Sequence, residues 1–199
     1  MTSGPQGLTV RQEPDRVVLQ WSGPVQAPMS DRFRDAFREL ENDPRRLVIS
    51  LNSGGGEVEH GHAVIREIRA ASRERQIDTM IEAGKMCASM CVPIYLVGAE
   101  RIASPTARFM FHEALFRVRP APERERRDLK KPTPKATTTY VRNAATTRIT
   151  DELFDEDMGP RSVDARWLRD MRAKIRSRDV WLTGRELVNQ GSGVVDKLQ

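Results

Sequence analysis

Three short stretches of the chain carry residue types that could do chemistry together: Asn52-Ser53-Gly54-Gly55-Gly56, Cys87-Ala88-Ser89-Met90-Cys91 and Phe111-His112. Serine attacks a carbonyl only when a neighbouring base takes its proton, and the anion that results needs donors already aimed at it. Ser89, between small residues at the head of an apolar segment, is the candidate nucleophile. Of the three histidines, His60 and His62 fall on the helix expected after the glycine turn, which leaves His112 as the best-placed base. A glycine run turns sharply and presents bare N–H groups. The N–H of Gly56 and that of Met90, directly after Ser89, are therefore the candidate oxyanion donors. A carboxylate must fix the histidine tautomer. Asp164, Asp170 and Asp179 all remain open on spacing, although Asp179 stands just before Val180-Trp181-Leu182, where a strand would hold it firmly. The chemistry implied is acyl transfer by a serine hydrolase, most directly a peptidase.

Blander roles compete. A serine at a helix start is often only a cap. Glu57, His60 and His62 form a poor metal set, because residues two apart on a helix do not face each other. No metal and no cofactor are expected. Cys87 and Cys91 flank Ser89, and read first as two small buried apolar groups. On one helix their Cα atoms would be about 6 Å apart, so a disulfide is the alternative, one that matters in an oxidising compartment.

The elements that must position these residues alternate. Arg16–Trp21 reads as a strand and Ser30–Glu41 as an amphipathic helix through Phe33, Phe37 and Leu40. Leu47–Leu51 is a continuous run suited to a buried parallel strand. A helix over 57–72, a strand over 77–82, a helix over 89–97 and a strand over 108–111 follow. Later come a helix over 163–175, the strand Val180-Trp181-Leu182, a capping box at Thr183-Gly184-Arg185-Glu186, a helix to Asn189 and a short strand over 193–196. Strands alternating with helices imply an α/β fold with a mainly parallel sheet. The pattern lapses from 116 to 157, a Pro- and Thr-rich stretch read as extended, with some helix around 140–154.

With 199 residues the chain fits one domain. Its formal charge of +5 is local: residues 117–148 hold ten Lys/Arg against three Asp/Glu. That segment has a single aromatic, Tyr140, so it lacks the interleaved rings of a base-stacking surface and reads as solvated loop rather than nucleic-acid interface. No apolar run approaches the roughly 20 residues that span a bilayer. The first residues lack the basic and apolar regions of a secretory signal, which suggests a cytoplasmic protein, the alternative being one whose leader has been removed.

The same residues resemble a known family. Asn52-Ser53-Gly54-Gly55-Gly56-Glu57-Val58-Glu59-His60-Gly61 is similar to the Asn-Ser-Pro-Gly-Gly turn and helix of the Clp protease proteolytic subunit. Cys87-Ala88-Ser89-Met90 resembles its Ala-Ala-Ser-Met nucleophile segment, and Arg108-Phe109-Met110-Phe111-His112 its histidine strand. Arg178-Asp179-Val180-Trp181-Leu182-Thr183 resembles its Arg-Asp-x-aromatic-Leu-Ser segment, and Gly193-Val194-Val195-Asp196 its Gly-Leu-Val-Asp ending. The likeness runs from about Arg16 to Gln199 and breaks in the 116–157 insertion. It implies a spiral of repeated ββα units shared with the crotonase superfamily, a single domain over 1–199, and a Ser89, His112, Asp179 triad with Gly56 and Met90 at the oxyanion. It implies peptide or unfolded-protein substrates and a homo-oligomer.

The departures are specific. Gly54 replaces the family proline. The cysteine pair is similar to that of envelope proteins with a Clp-protease-like domain, which makes the periplasm the alternative compartment. The basic insertion stands where the family has the handle helix that joins two rings, which argues against a double ring and leaves an ATP-driven unfoldase unassigned. The family relationship also suggests rivals: a Ser–Lys pair using Lys85, a catalytically silent scaffold or binding module, and a crotonase-type acyl-CoA enzyme.

Overall fold

Every residue from Leu47 to Leu51 is buried, Ser50 included, because β3 (Arg46–Asn52) runs through the middle of a sheet covered on both faces. The computed structural model describes residues 7–114, 116–118, 139–141, 144–158, 163–176 and 178–199. In it β1 (Gly7–Gln12) pairs antiparallel with β2 (Arg16–Ser22). From β2 the sheet continues in parallel through β3, β4 (Ile77–Ile81), β6 (Arg101–Ala103) and β11 (Lys197–Leu198). Alternation along the strands divides the apolar side chains between the two faces. Val17, Leu19, Trp21, Leu47, Ile49, Leu51, Ile77 and Ile81 belong to the main core, whereas Val18, Val48, Met80 and Ile102 form a separate stripe on the reverse face.

Two helices cover the main face. On α1 (Met29–Glu39), Phe33 meets Trp21 and Phe37 with ring centroids 6.2 and 5.9 Å apart. On α2 (Val58–Ala71), Val64, Ile65 and Ile68 recur at helical spacing and are buried. A second sheet, in the order β10-β7-β5, carries the site. Its strands are β5 (Met86–Ala88), β7 (Arg108–Phe111) and β10 (Val180–Thr183). The short α3 (Cys91–Leu96) follows β5 and is wholly buried. Further along are the antiparallel ribbon of β8 (Phe116–Val118) and β9 (Thr139–Val141), and α4 (Ala144–Glu152), which widens into a π-helix over Leu153–Met158. Last come α5 (Ala165–Ile175) and α6 (Gly184–Asn189).

The fold class is thus the expected α/β arrangement with a mainly parallel sheet. Local readings moved where long-range pairing consumed the backbone groups. The helix expected from Ser89 begins only at Cys91, since 86–88 are drawn into β5 by partners distant in sequence. The final strand sits at Lys197–Leu198 rather than 193–196, because Gly193 is a positive-φ turn (70°) that precedes the pairing with β6. β1 and β6 were not anticipated. In the 116–157 stretch, the helix anticipated around 140–154 runs over 144–152 and on into the π-turn, with Phe154 and Met158 in the core. Residues 115, 119–138 and 142–143 of that stretch lie outside the described residues.

Candidate active site

The glycine turn is pinned before it reaches the serine. Ser53 donates its N–H to the Met86 carbonyl (2.9 Å) and accepts from the Ala88 N–H (3.0 Å), which docks the turn along β5. The Ser53 hydroxyl accepts from the Gly55 N–H at 3.1 Å. On the far side, Val25 donates to the Gly55 carbonyl (2.9 Å) and accepts from Glu57 N–H (2.8 Å). Gly55 has φ +90°, and a Cβ there would lie 2.6 Å from Ser89 Cβ and 2.7 Å from the Ala88 carbonyl. A Cβ on Gly56 would collide with the Val25 backbone. Both glycines are therefore required by close approach, and Gly55 by its positive φ as well.

Ser89 is the only non-glycine residue with positive φ (55°) among the described residues. The conformation sets it on an elbow between β5 and α3. Its N–H donates to the Met110 carbonyl of β7 at 2.9 Å. His112 is two residues beyond Met110, so it stands at the same strand end as Ser89, within roughly 7 Å of Met110 along the chain. Along β7, Phe109 and Phe111 are buried while Arg108 is exposed and Met110 and His112 are partly so. Alternation thus puts His112 on the outward face. β10 lies on the other edge of β7 with Val180 opposite Phe111. Continued by one residue, that antiparallel register sets Asp179 opposite His112. Four segments then lie side by side, carrying Asp179, His112, Ser89 and Gly55-Gly56 in that order.

Neither the Gly56 N–H nor the Met90 N–H has a hydrogen-bond partner among the described residues. Two open amides thus flank the serine. The Ser89 hydroxyl and the Asp179 carboxylate likewise lack hydrogen-bond partners among the described residues, so this structure brings the three side chains to one strand end without joining them in a relay.

The competing residues are placed elsewhere. Asp164 caps α5, accepting from Trp167 N–H at 2.8 Å, and Asp170 is exposed on that helix. Lys85 precedes β5 at the end remote from Ser89, four residues or about 13 Å of strand away. His62 bonds Asp157 (2.9 Å) and His60 faces Glu57 (3.5 Å), so the two histidines turn to different partners. Among the described residues no three His, Cys, Asp or Glu side chains are grouped to hold a metal.

The cysteine reading needs correcting. Cys87 and Cys91 are joined by a disulfide with Cα atoms 5.2 Å apart, and neither is a free thiol. The elbow at Ser89 folds the strand end back toward the first residue of α3, a geometry that a single helix through 87–91 would not give. Sequence reasoning also missed Gly61. A Cβ there would overlap the Met90 side chain, so α2 is notched at this point to seat the residue bearing the second open amide. The signal was a glycine inside a helical pattern, which costs about 1 kcal/mol relative to alanine and calls for a packing reason.

A model of the Clp protease family matches residues 15–147, about two thirds of the chain. The chain belongs to the Clp protease family. The match includes the glycine turn, Ser89 and His112, and ends before Asp179. A search of curated protein sequences found no match. Membership assigns this member of the Clp protease family, coarsely, to the serine peptidases. No helix among the described residues is long and apolar enough to cross a membrane.

Proposed function

We propose that the protein is a serine peptidase that cleaves peptides or unfolded protein through an acyl-enzyme. The observation that carries this reading is the Ser89 elbow, with a positive-φ serine touching Gly55 and two open amides beside it. In the mechanism Ser89 Oγ attacks the peptide carbonyl while His112 takes its proton. The carbonyl oxygen accepts from the N–H groups of Gly56 and Met90 as it becomes an oxyanion. His112 then protonates the departing amine, and water enters by the same route in reverse to release the acyl group. Asp179 orients the imidazole from across the β10–β7 pair. The relay closes when substrate occupies the site, as catalytic hydrogen bonds often tighten only in the complex.

One domain over 1–199, with the basic 116–157 stretch in place of the family's handle, and assembly into a homo-oligomer belong to the same reading. The disulfide favours an oxidising compartment over the cytoplasm.

A fluorophosphonate probe tests the proposal. It should label Ser89 in the full chain and fail to label Ser89→Ala. His112→Ala should lower peptide hydrolysis by about four orders of magnitude. Folded protein that neither reacts with the probe nor cleaves any unfolded substrate would leave the silent-module reading in its place.

A further inference from the structure

The disulfide lies where no ordinary core staple would need to be. It joins the middle residue of β5 to the first residue of α3, and the three residues it encloses are Ala88, Ser89 and Met90. We propose that the Cys87–Cys91 bridge is a positioning element of the catalytic centre: it holds the Ser89 elbow and the Met90 amide in their reactive geometry, so that the nucleophile is competent only in the oxidised protein. The inference rests on the reading of Ser89 as nucleophile.

A left-handed conformation at a residue with a Cβ is unfavourable and persists only where its surroundings over-determine it. On the N-terminal side of Ser89 they do, through the Ala88 N–H to Ser53 and the Ser89 N–H to Met110. On the C-terminal side the backbone hydrogen bonding is thin. Val92 N–H bonds the Ser89 carbonyl (2.9 Å), Met90 N–H bonds nothing among the described residues, and α3 is six residues long with Pro93 inside it. The covalent link ties down this loose side.

Packing gives the bridge its leverage. Cys87 and Cys91 are 0% and 1% exposed, in contact with the main core. Reduction by a dithiol breaks the S–S bond, gives each sulfur one electron and one proton, and leaves the reductant as its own cyclic disulfide. The two thiols then no longer share a bond and must separate to van der Waals contact. In a close-packed interior that movement falls on the three residues between them. The Ser89 hydroxyl and the Met90 amide shift relative to Gly56, which Val25 holds in place. Misplacement on the order of 1 Å can cost about a hundredfold in rate.

The test compares the oxidised full-length chain, the same chain fully reduced with dithiothreitol (free thiols counted by alkylation and mass), and the variant Cys87→Ser/Cys91→Ser. Fluorophosphonate labelling and kcat should fall at least about tenfold on reduction and equally in the variant without reductant, with KM within about twofold. Hydrogen exchange over residues 86–96 should rise, and far-UV circular dichroism should stay unchanged. A fully reduced or variant protein that keeps the oxidised labelling rate overturns the proposal. If the oxidised protein is inert to the probe, the peptidase reading fails. Exchange over 86–96 then decides the positioning claim by itself: faster exchange on reduction supports it and unchanged exchange refutes it.

Discussion

Gly55 and Ser89 are in direct contact: a side chain on the glycine would begin 2.6 Å from the serine Cβ. The contact joins a turn after β3 to an elbow after β5, two segments more than thirty residues apart. It makes the position of the Ser89 side chain depend on the absence of an atom.

Gly55→Ala should therefore impair both stability and reaction. Its φ of +90° is unfavourable for any residue with a Cβ, and the added methyl meets Ser89 and the Ala88 carbonyl. A loss of about 2 kcal/mol, or roughly 4–8 °C in Tm, is expected for a chain of this size. Peptide hydrolysis should fall on the order of a hundredfold. Calorimetry and a fluorogenic peptide assay measure the two effects, and wild-type kcat in this variant would show that the contact is irrelevant to reaction.

Gly61→Ala separates stability from positioning. Alanine improves the intrinsic helix preference by about 1 kcal/mol. Its methyl would occupy the space of the Met90 side chain, so the Met90 amide must move. We expect kcat to drop with little change in Tm, and the double variant Gly61→Ala/Met90→Ala to recover much of the loss by making room. A double variant no better than the single one would place the cause elsewhere.

Acid should loosen the C-terminal staple. Asp196 accepts from Arg101 Nε (2.8 Å), Nη2 (2.5 Å) and backbone N–H (2.9 Å), locking the last turn to β6. Burial by itself pushes this carboxyl up, but the Arg101 hydrogen bonds outweigh it and hold the carboxyl below its ordinary range. A folded-state value below the unfolded one means that the ion pair stabilises the fold above roughly pH 4 and that this contribution is lost as pH falls through the folded value. Asp196→Asn removes the carboxylate charge that these three Arg101 donors share. With Asp196 36% exposed, solvent screening lowers the cost below that of a fully buried pair, to about 1–3 kcal/mol at pH 7. Denaturant midpoints at pH 7 and pH 3 should show the wild-type advantage shrinking in acid; an equal gap at both values would contradict it.

Much of this molecule is legible locally. Phe33 and Phe37 on a helix, the apolar run of β3 and the Thr183–Glu186 capping box are patterns of neighbours, and neighbours decide them. The capping box is present in full, with Thr183 and Glu186 each bonding the other's backbone N–H. What failed was wherever a short segment found its partners far along the chain. β5 goes unread, and the helix after it is begun two residues early at Ser89, because nothing within 86–91 announces that Ser53 and Met110 will take its hydrogen bonds.

The residue types and their order were enough to single out Ser89, His112 and the glycine turn as candidates, because nucleophile and base are properties of side chains and the glycine run is a property of backbone freedom; among the carboxylates spacing left three open, and only the family resemblance pointed to Asp179. Their arrangement was not contained in that order. The left-handed serine, the register that sets Asp179 across from His112, the notch at Gly61 and the bond between Cys87 and Cys91 follow from strand pairing and close packing across long sequence separations. Those forces act only once the chain has folded, so tertiary structure alone decides them.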